Sequence, residues 1–119
     1  MVTSRSAEPQ GNWVGGALLF SGRRDPTWVI DEHVAQQLVS IWDTLAPRTG
    51  ELPARPLLGY RGCFLRNLLG QEWLAYRDAV TLQMAGGSES RSDPERSFEK
   101  RLLASASEGL LPPYLVEDN

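Results

Sequence analysis

The chain is short of the side chains that most chemistry needs. Its 119 residues include a single cysteine, Cys63, a single histidine, His33, and one lysine, Lys100. One cysteine closes no internal disulfide, which suits a reducing compartment. His33 has no Ser, Cys or carboxylate at motif spacing, so it completes neither a catalytic triad nor a metal set. No His/Cys/Asp cluster has metal spacing, and neither a metal nor a cofactor is expected. Long apolar runs are missing as well. Met1 to Gln10 has no hydrophobic stretch of the signal-peptide kind, and Ala17-Leu18-Leu19-Phe20 is far too short to span a bilayer. A cytoplasmic chain with no membrane partner is the expectation. The net charge of −3 and the pI near 5.1 argue against nucleic acid, which favours a basic face. Gly15-Gly16 and Gly86-Gly87 lack the Lys-Ser/Thr pair of a phosphate loop.

What is present suits one small globular domain. Hydrophobic residues make up 41% of the chain and four tryptophans are among them, enough for one core. Basic residues are almost all arginine. That composition fits either an anion site or the codon usage of a GC-rich, bacterial-like genome, and the second is the plainer explanation.

The centre of the chain reads as a hairpin over Leu57–Met84. Asn67-Leu68-Leu69-Gly70-Gln71 is the connection, with Asn and Gly able to take a positive φ cheaply. In the second half, Leu74, Tyr76, Val80 and Leu82 alternate with Trp73, Arg77 and Thr81, which predicts a half-buried strand with the first set inward. Two registers compete, one pairing Arg61 with Asp78 and one pairing Tyr60 with it. Gly59 and Gly62 mark a bulge or a close backbone approach.

Around the hairpin, 1–11 is polar and expected to be a flexible tail. Trp13 to Phe20 reads as a strand, with a bulge at Gly15-Gly16. Ser21 to Pro26 is a turn by composition, and Thr27-Trp28-Val29-Ile30 is extended. Asp31 caps a helix whose stripe is Val34, Leu38, Ile41, Trp42 and Leu45, ended by Pro47. Prolines 47, 53 and 56 stiffen the connection that follows. The stretch 86–92 reads as a mobile linker. A second helix starts at Ser92-Asp93-Pro94-Glu95, by a capping box from Ser92 or with Asp93 as N-cap. Its apolar side is Phe98, Leu102, Leu103 and Ala106. Asp93, Glu95 and Glu99 read as solvated charges near the helix N-terminus.

The expected architecture is α+β: a small, mainly antiparallel three- or four-stranded sheet with two helices packed on one face, in the order β-β-α-β-β-α. Residues 12–119 form its single domain. Two helices on one face leave the other open, with Trp73, Arg77 and Arg61 exposed there.

Function follows from that open face. The expected class is a non-catalytic protein- or peptide-interaction module, or a small accessory subunit of a larger assembly, a homodimer included. Its surface is Arg23, Arg24, Trp28, Arg61, Trp73 and Arg77, which combines fork donors with aromatic plates. The alternative is a small enzyme, or an accessory chain to one, that binds an anionic small molecule. There Arg23, Arg61 and Arg77 would hold the anion, and Tyr60, Tyr76 or His33 would move a proton. Cys63 lies between Arg61 and Arg66, which could lower a thiol pKa, but it reads first as a small structural hydrophobe. An enzyme predicts a concave pocket where titratable groups converge. A module predicts a flat patch with Trp73 exposed.

Overall fold

A computed structural model describes residues 12–19, 24–57 and 59–116. Within them, seven strands form one sheet with antiparallel pairing throughout. In chain order they are β1 (Trp13–Ala17), β2 (Thr27–Val29), β3 (Ala46–Pro47), β4 (Cys63–Asn67), β5 (Glu72–Tyr76), β6 (Ala79–Met84) and β7 (Gly87–Ser92). Helix α1 (Glu32–Thr44) joins β2 to β3, and α2 (Ser97–Ala104) and α3 (Pro113–Val116) follow β7. The order across the sheet is β2-β1-β4-β5-β6-β7-β3. The three- or four-stranded sheet expected from the sequence is therefore too small, although α+β character stands.

Two turns account for the missing strands. The stretch read as one long second strand is broken at Arg77-Asp78, where Arg77 takes the left-handed conformation at φ 55°. The chain doubles back there, and Tyr76 pairs with Ala79. A second reversal at Ala85-Gly86 pairs Met84 with Gly87 and makes a strand of 87–92, the segment read as a linker. Ser88, Glu89 and Ser90 carry little strand propensity of their own. They are held by the ladder to β6, helped by Thr81 Oγ1 and Ser90 Oγ at 2.8 Å.

The doubling also corrects which side chains point inward. Residues directly opposite in an antiparallel pair share a face. Leu65, Trp73 and Leu82 lie in one such row, and Cys63, Ala75 and Val80 in the next. All six belong to the main core, with Leu38 and Trp42 of α1 and Phe98 and Leu102 of α2. Leu74 and Tyr76 face the other way. The set Leu74, Tyr76, Val80 and Leu82 thus spans both faces, because the turn between them reverses the parity. Trp73, expected to be exposed, is 4% accessible and packs on Trp13 at 5.9 Å between ring centroids.

The hairpin loop falls where expected. Asn67 organises it, its Oδ1 accepting from Leu69 N–H at 3.0 Å and Gln71 N–H at 3.1 Å. The register pairs Cys63 with Ala75 and Arg66 with Glu72, and pairing stops before either Arg61 or Tyr60 reaches Asp78. Gly62, at φ 120°, sits so close to the Ala75 carbonyl that a Cβ would lie 2.9 Å from its oxygen. Gly15 and Gly16 make no bulge, since β1 pairs with β4 residue for residue. Each leaves the space of a side chain to an aromatic ring instead. A Cβ on Gly15 would meet the Trp28 indole at 3.1 Å, and one on Gly16 would meet the Phe64 ring at 2.2 Å.

Both main helices begin with an aspartate, in different ways. Asp31 is the N-cap of α1 and accepts from His33 N–H at 3.3 Å. The second helix starts later than either expected cap implies, with Arg96 at its N-cap position. Pro94-Glu95-Arg96 makes a turn, and the Asp93 carboxylate reaches over it to Ser97 N–H at 3.0 Å and Phe98 N–H at 2.8 Å. Asp93 is 2% exposed, so it is a buried cap rather than a solvated charge.

Candidate binding site

The helices cover one face of the sheet. The other is crossed by the segment 48–57, which carries the chain from β3 at one edge back towards β4. Arg48 anchors its start, donating to the Asp78 carbonyl at 3.1 Å and to the Glu51 carbonyl at 3.2 Å. Leu52, Pro53 and Arg55 then lie over β5 and β6. Between this segment and Leu74, Tyr76, Ala79, Thr81 and Gln83 runs a groove of about 140 Å³. Those five sheet residues all fall on the helix-free face by register. Arg55 also lines a second, more polar recess of about 420 Å³ with Leu18, Pro56 and Arg61. An apolar groove and a cationic recess therefore share one guanidinium. Arg55 is exposed and makes no hydrogen bond or ion pair with the described residues.

The six residues expected to form one surface are dispersed. Arg23 lies outside the described residues. Trp28 is 6% exposed and belongs to the helix-covered face, its indole Nε1 donating to Ser105 Oγ at 2.9 Å. Trp73 is core, as above. Arg24 is exposed but lines neither cavity. Arg61 is half-buried and lines the cationic recess. Arg77 is exposed and lies 5.3 Å over the ring of Tyr76, at the end of the apolar groove. Arg61 and Arg77 thus flank the site. Arg55, Leu52 and Pro53 complete it, and sequence reasoning passed over them as linker. A proline-stiffened segment holding Leu52 and Arg55 was the available signal.

A buried polar cluster lies at the same end of the sheet. Glu99 on α2 is 1% exposed. Its carboxylate accepts from Tyr60 Oη at 2.5 Å, from Arg77 N–H at 3.1 Å and from Arg96 Nε at 2.8 Å. Burial pushes the Tyr60 hydroxyl far above its usual range, reinforced by the negative charge that Cys63 and Glu99 can carry. Burial also pushes the Cys63 thiol well up, and the Glu99 charge adds to this. Cys63 is wholly inaccessible and stays protonated, despite its two arginine neighbours in sequence. A thiol in that state is not a nucleophile. The reading of Glu99 as a solvated charge is corrected here. Its place could have been found, because Leu102 and Leu103 follow at i+3 and i+4 and put it inside the apolar stripe.

His33 stands apart. It sits in the first turn of α1, in the helix layer on the opposite side of the sheet from the groove. Its Nε2 is 3.3 Å from Gln37 Nε2, and with Arg101 these residues line an open recess between α1 and α2. Tyr60 and Tyr76 lie together, 6.0 Å between ring centroids, but His33 does not join them. No group of His, Cys, Asp and Glu among the described residues is arranged to hold a metal ion. None of the described helices is long and apolar enough to cross a membrane. No family model matches the chain, and comparison with curated proteins and with solved structures finds none that matches.

Proposed function

We propose that this chain is a non-catalytic interaction module that grips a protein or peptide partner on the helix-free face of its sheet. The groove between the 48–57 segment and β5–β6, bordered by Arg55, Arg61 and Arg77, supports this reading. The small size of its apolar part supports the module over the enzyme. Pockets that enclose a small-molecule substrate are typically about 300–1,000 Å³. The apolar groove, at about 140 Å³, is less than half the lower figure. It suits one side chain of a larger partner, with the rest of that partner lying across the face. Of the three groups named as proton carriers, only Tyr76 lines the groove; Tyr60 donates to Glu99 and His33 lies in the helix layer.

The test is capture from cells of the native host with the wild-type chain and with Thr81→Trp. Thr81 is half-buried on the open face, and an indole there fills the groove. A partner held by wild type and lost by the folded variant is expected. A partner held equally by both would place the interaction elsewhere. One observation favours a second reading, a small-anion site: Arg55 and Arg61 face a common recess. Under it, phosphate or citrate would shift the Arg55 and Arg61 side-chain NMR signals saturably, and Thr81→Trp would leave that response intact.

A further inference from the structure

Resting on the interaction reading above, we infer that the partner presents an extended peptide segment in which one branched aliphatic side chain lies next to a carboxylate. Three observations carry this. The first is size. The groove, at about 140 Å³, is well below the size of a pocket for a whole small molecule and is on the scale of a single side chain. A leucine or isoleucine side chain is of that scale. An alanine would leave the groove largely empty. The second is lining. Leu52, Pro53, Leu74 and Ala79 supply hydrocarbon walls, while Thr81 and Gln83 put polar ends at one side.

The third is charge. Arg55 belongs to both cavities, so a group anchored in the groove brings its neighbour within reach of that guanidinium. Arg55 has no partner among the described residues and is free to bind a carboxylate through both arms of its fork. Arg61, on the far side of the recess, adds a second positive charge. A basic or neutral neighbour on the peptide would leave Arg55 without a counter-charge in this position. The carboxylate can come from an Asp or Glu side chain or from a peptide's free C-terminus. Both offer the same two oxygens.

The experiment is selection from a random eight-residue peptide library, displayed in one arm with a free C-terminus and in the other with an amide cap. Selected peptides are resynthesised with a fluorophore, and affinity is read by polarisation at low and high salt. The expected winners carry Leu or Ile adjacent to Asp, Glu or the terminal carboxylate. Capping tells the two carboxylate sources apart. Arg55→Gln should weaken binding about tenfold or more, the range of a lost charge-assisted hydrogen bond, and flatten the salt dependence. Thr81→Trp should abolish binding. Gln83→Trp at the exposed end of the groove serves if the first variant melts early. If peptides bind wild type and both tryptophan variants alike, the interaction face itself is wrong. If the tryptophan variants fail to bind but the winners are neutral or basic, or Arg55→Gln binds as wild type, the face stands and this inference falls. It falls equally if no peptide is selected.

Discussion

Replacing Glu99 gives the sharpest test of the structure, because sequence and structure assign it opposite environments. As a solvated residue near a helix start, it could be changed at a cost within about 0.5 kcal/mol. In the structure it is 1% exposed and accepts three hydrogen bonds. Glu99→Leu keeps the volume and deletes the acceptors. Arg96 is 40% exposed through its side chain and can turn to solvent. The Tyr60 hydroxyl and the Arg77 amide cannot do so readily. Each buried donor left unpaired costs about 1–3 kcal/mol, so the sum is roughly 2–5 kcal/mol, reduced somewhat by the apolar contacts of the leucine. The Arg77 amide weighs most, since it fixes the left-handed residue of the turn between β5 and β6. For a chain of this length such a loss lowers Tm by about 10 °C or more. Glu99→Gln keeps one acceptor oxygen and should cost about half as much. Thermal and urea unfolding followed by tryptophan fluorescence measure both. A Glu99→Leu chain that unfolds within 2 °C of wild type, on the scale of about 0.5 kcal/mol, would refute the buried cluster.

Two further outcomes follow from packing and from protonation. Gly16→Ala places a methyl group against the Phe64 ring and should destabilise by about 1–3 kcal/mol, the usual cost of overpacking. Adding Phe64→Leu to it should cost less than the sum of the two single changes, and strict additivity in a urea double-mutant cycle would show that the ring does not cross β1. The Cys63 thiol titrates near its ordinary pKa of about 8.5 in the unfolded chain but far higher when folded. Stability from that difference is complete below about pH 8.5, and it is lost at up to about 1.4 kcal/mol per pH unit above it, because the unfolded state then releases a proton that the native state keeps. Tyr60 adds to the fall above about pH 10. Cys63→Ser should remove the earlier part of the decline in a denaturation series from pH 7 to 10, and an unchanged profile would count against the burial of the thiol.

The helix α1 was the most legible element. Its cap, its stripe and its end depend on residues near one another in sequence, and Leu38 and Trp42 are buried as their spacing implies. The loop at Asn67–Gln71 was legible for the same reason. The strand count was not. Arg77 has no sequence mark of a left-handed turn residue, because its conformation is held from outside by Glu99, 22 residues away. Once that turn is missed, Val80 and Leu82 continue the parity of Leu74 and Tyr76, and Trp73 lands on the wrong face. The strand β7 is similarly hidden, since its serines and glycine look like a linker and only the partner strand makes them a ladder. Of the candidate site, Arg61 and Arg77 were visible as exposed arginines near the hairpin. The groove was not, because it is made where the 48–57 segment crosses strands about 25 residues further on.

The preference for arginine over lysine looks different once the partners are known. Arg48 reaches the Glu51 and Asp78 carbonyls, and Arg91 donates to the Trp42 carbonyl at 2.8 Å while lying over its ring at 4.2 Å. Arg66 covers the Phe64 ring at 4.4 Å, and Arg101 bonds Gln37 at 2.9 Å. These contacts use a planar fork with several donors and a flat face, which an ammonium cannot copy. Codon usage can supply arginine, but it does not place guanidinium groups on carbonyls and rings. Against that background Arg55 stands out. It sits beside an apolar groove, held by a segment with prolines at 53 and 56, and no described residue takes up its fork. At the point where the groove and the cationic recess meet, its donors are open to a ligand of the kind proposed above.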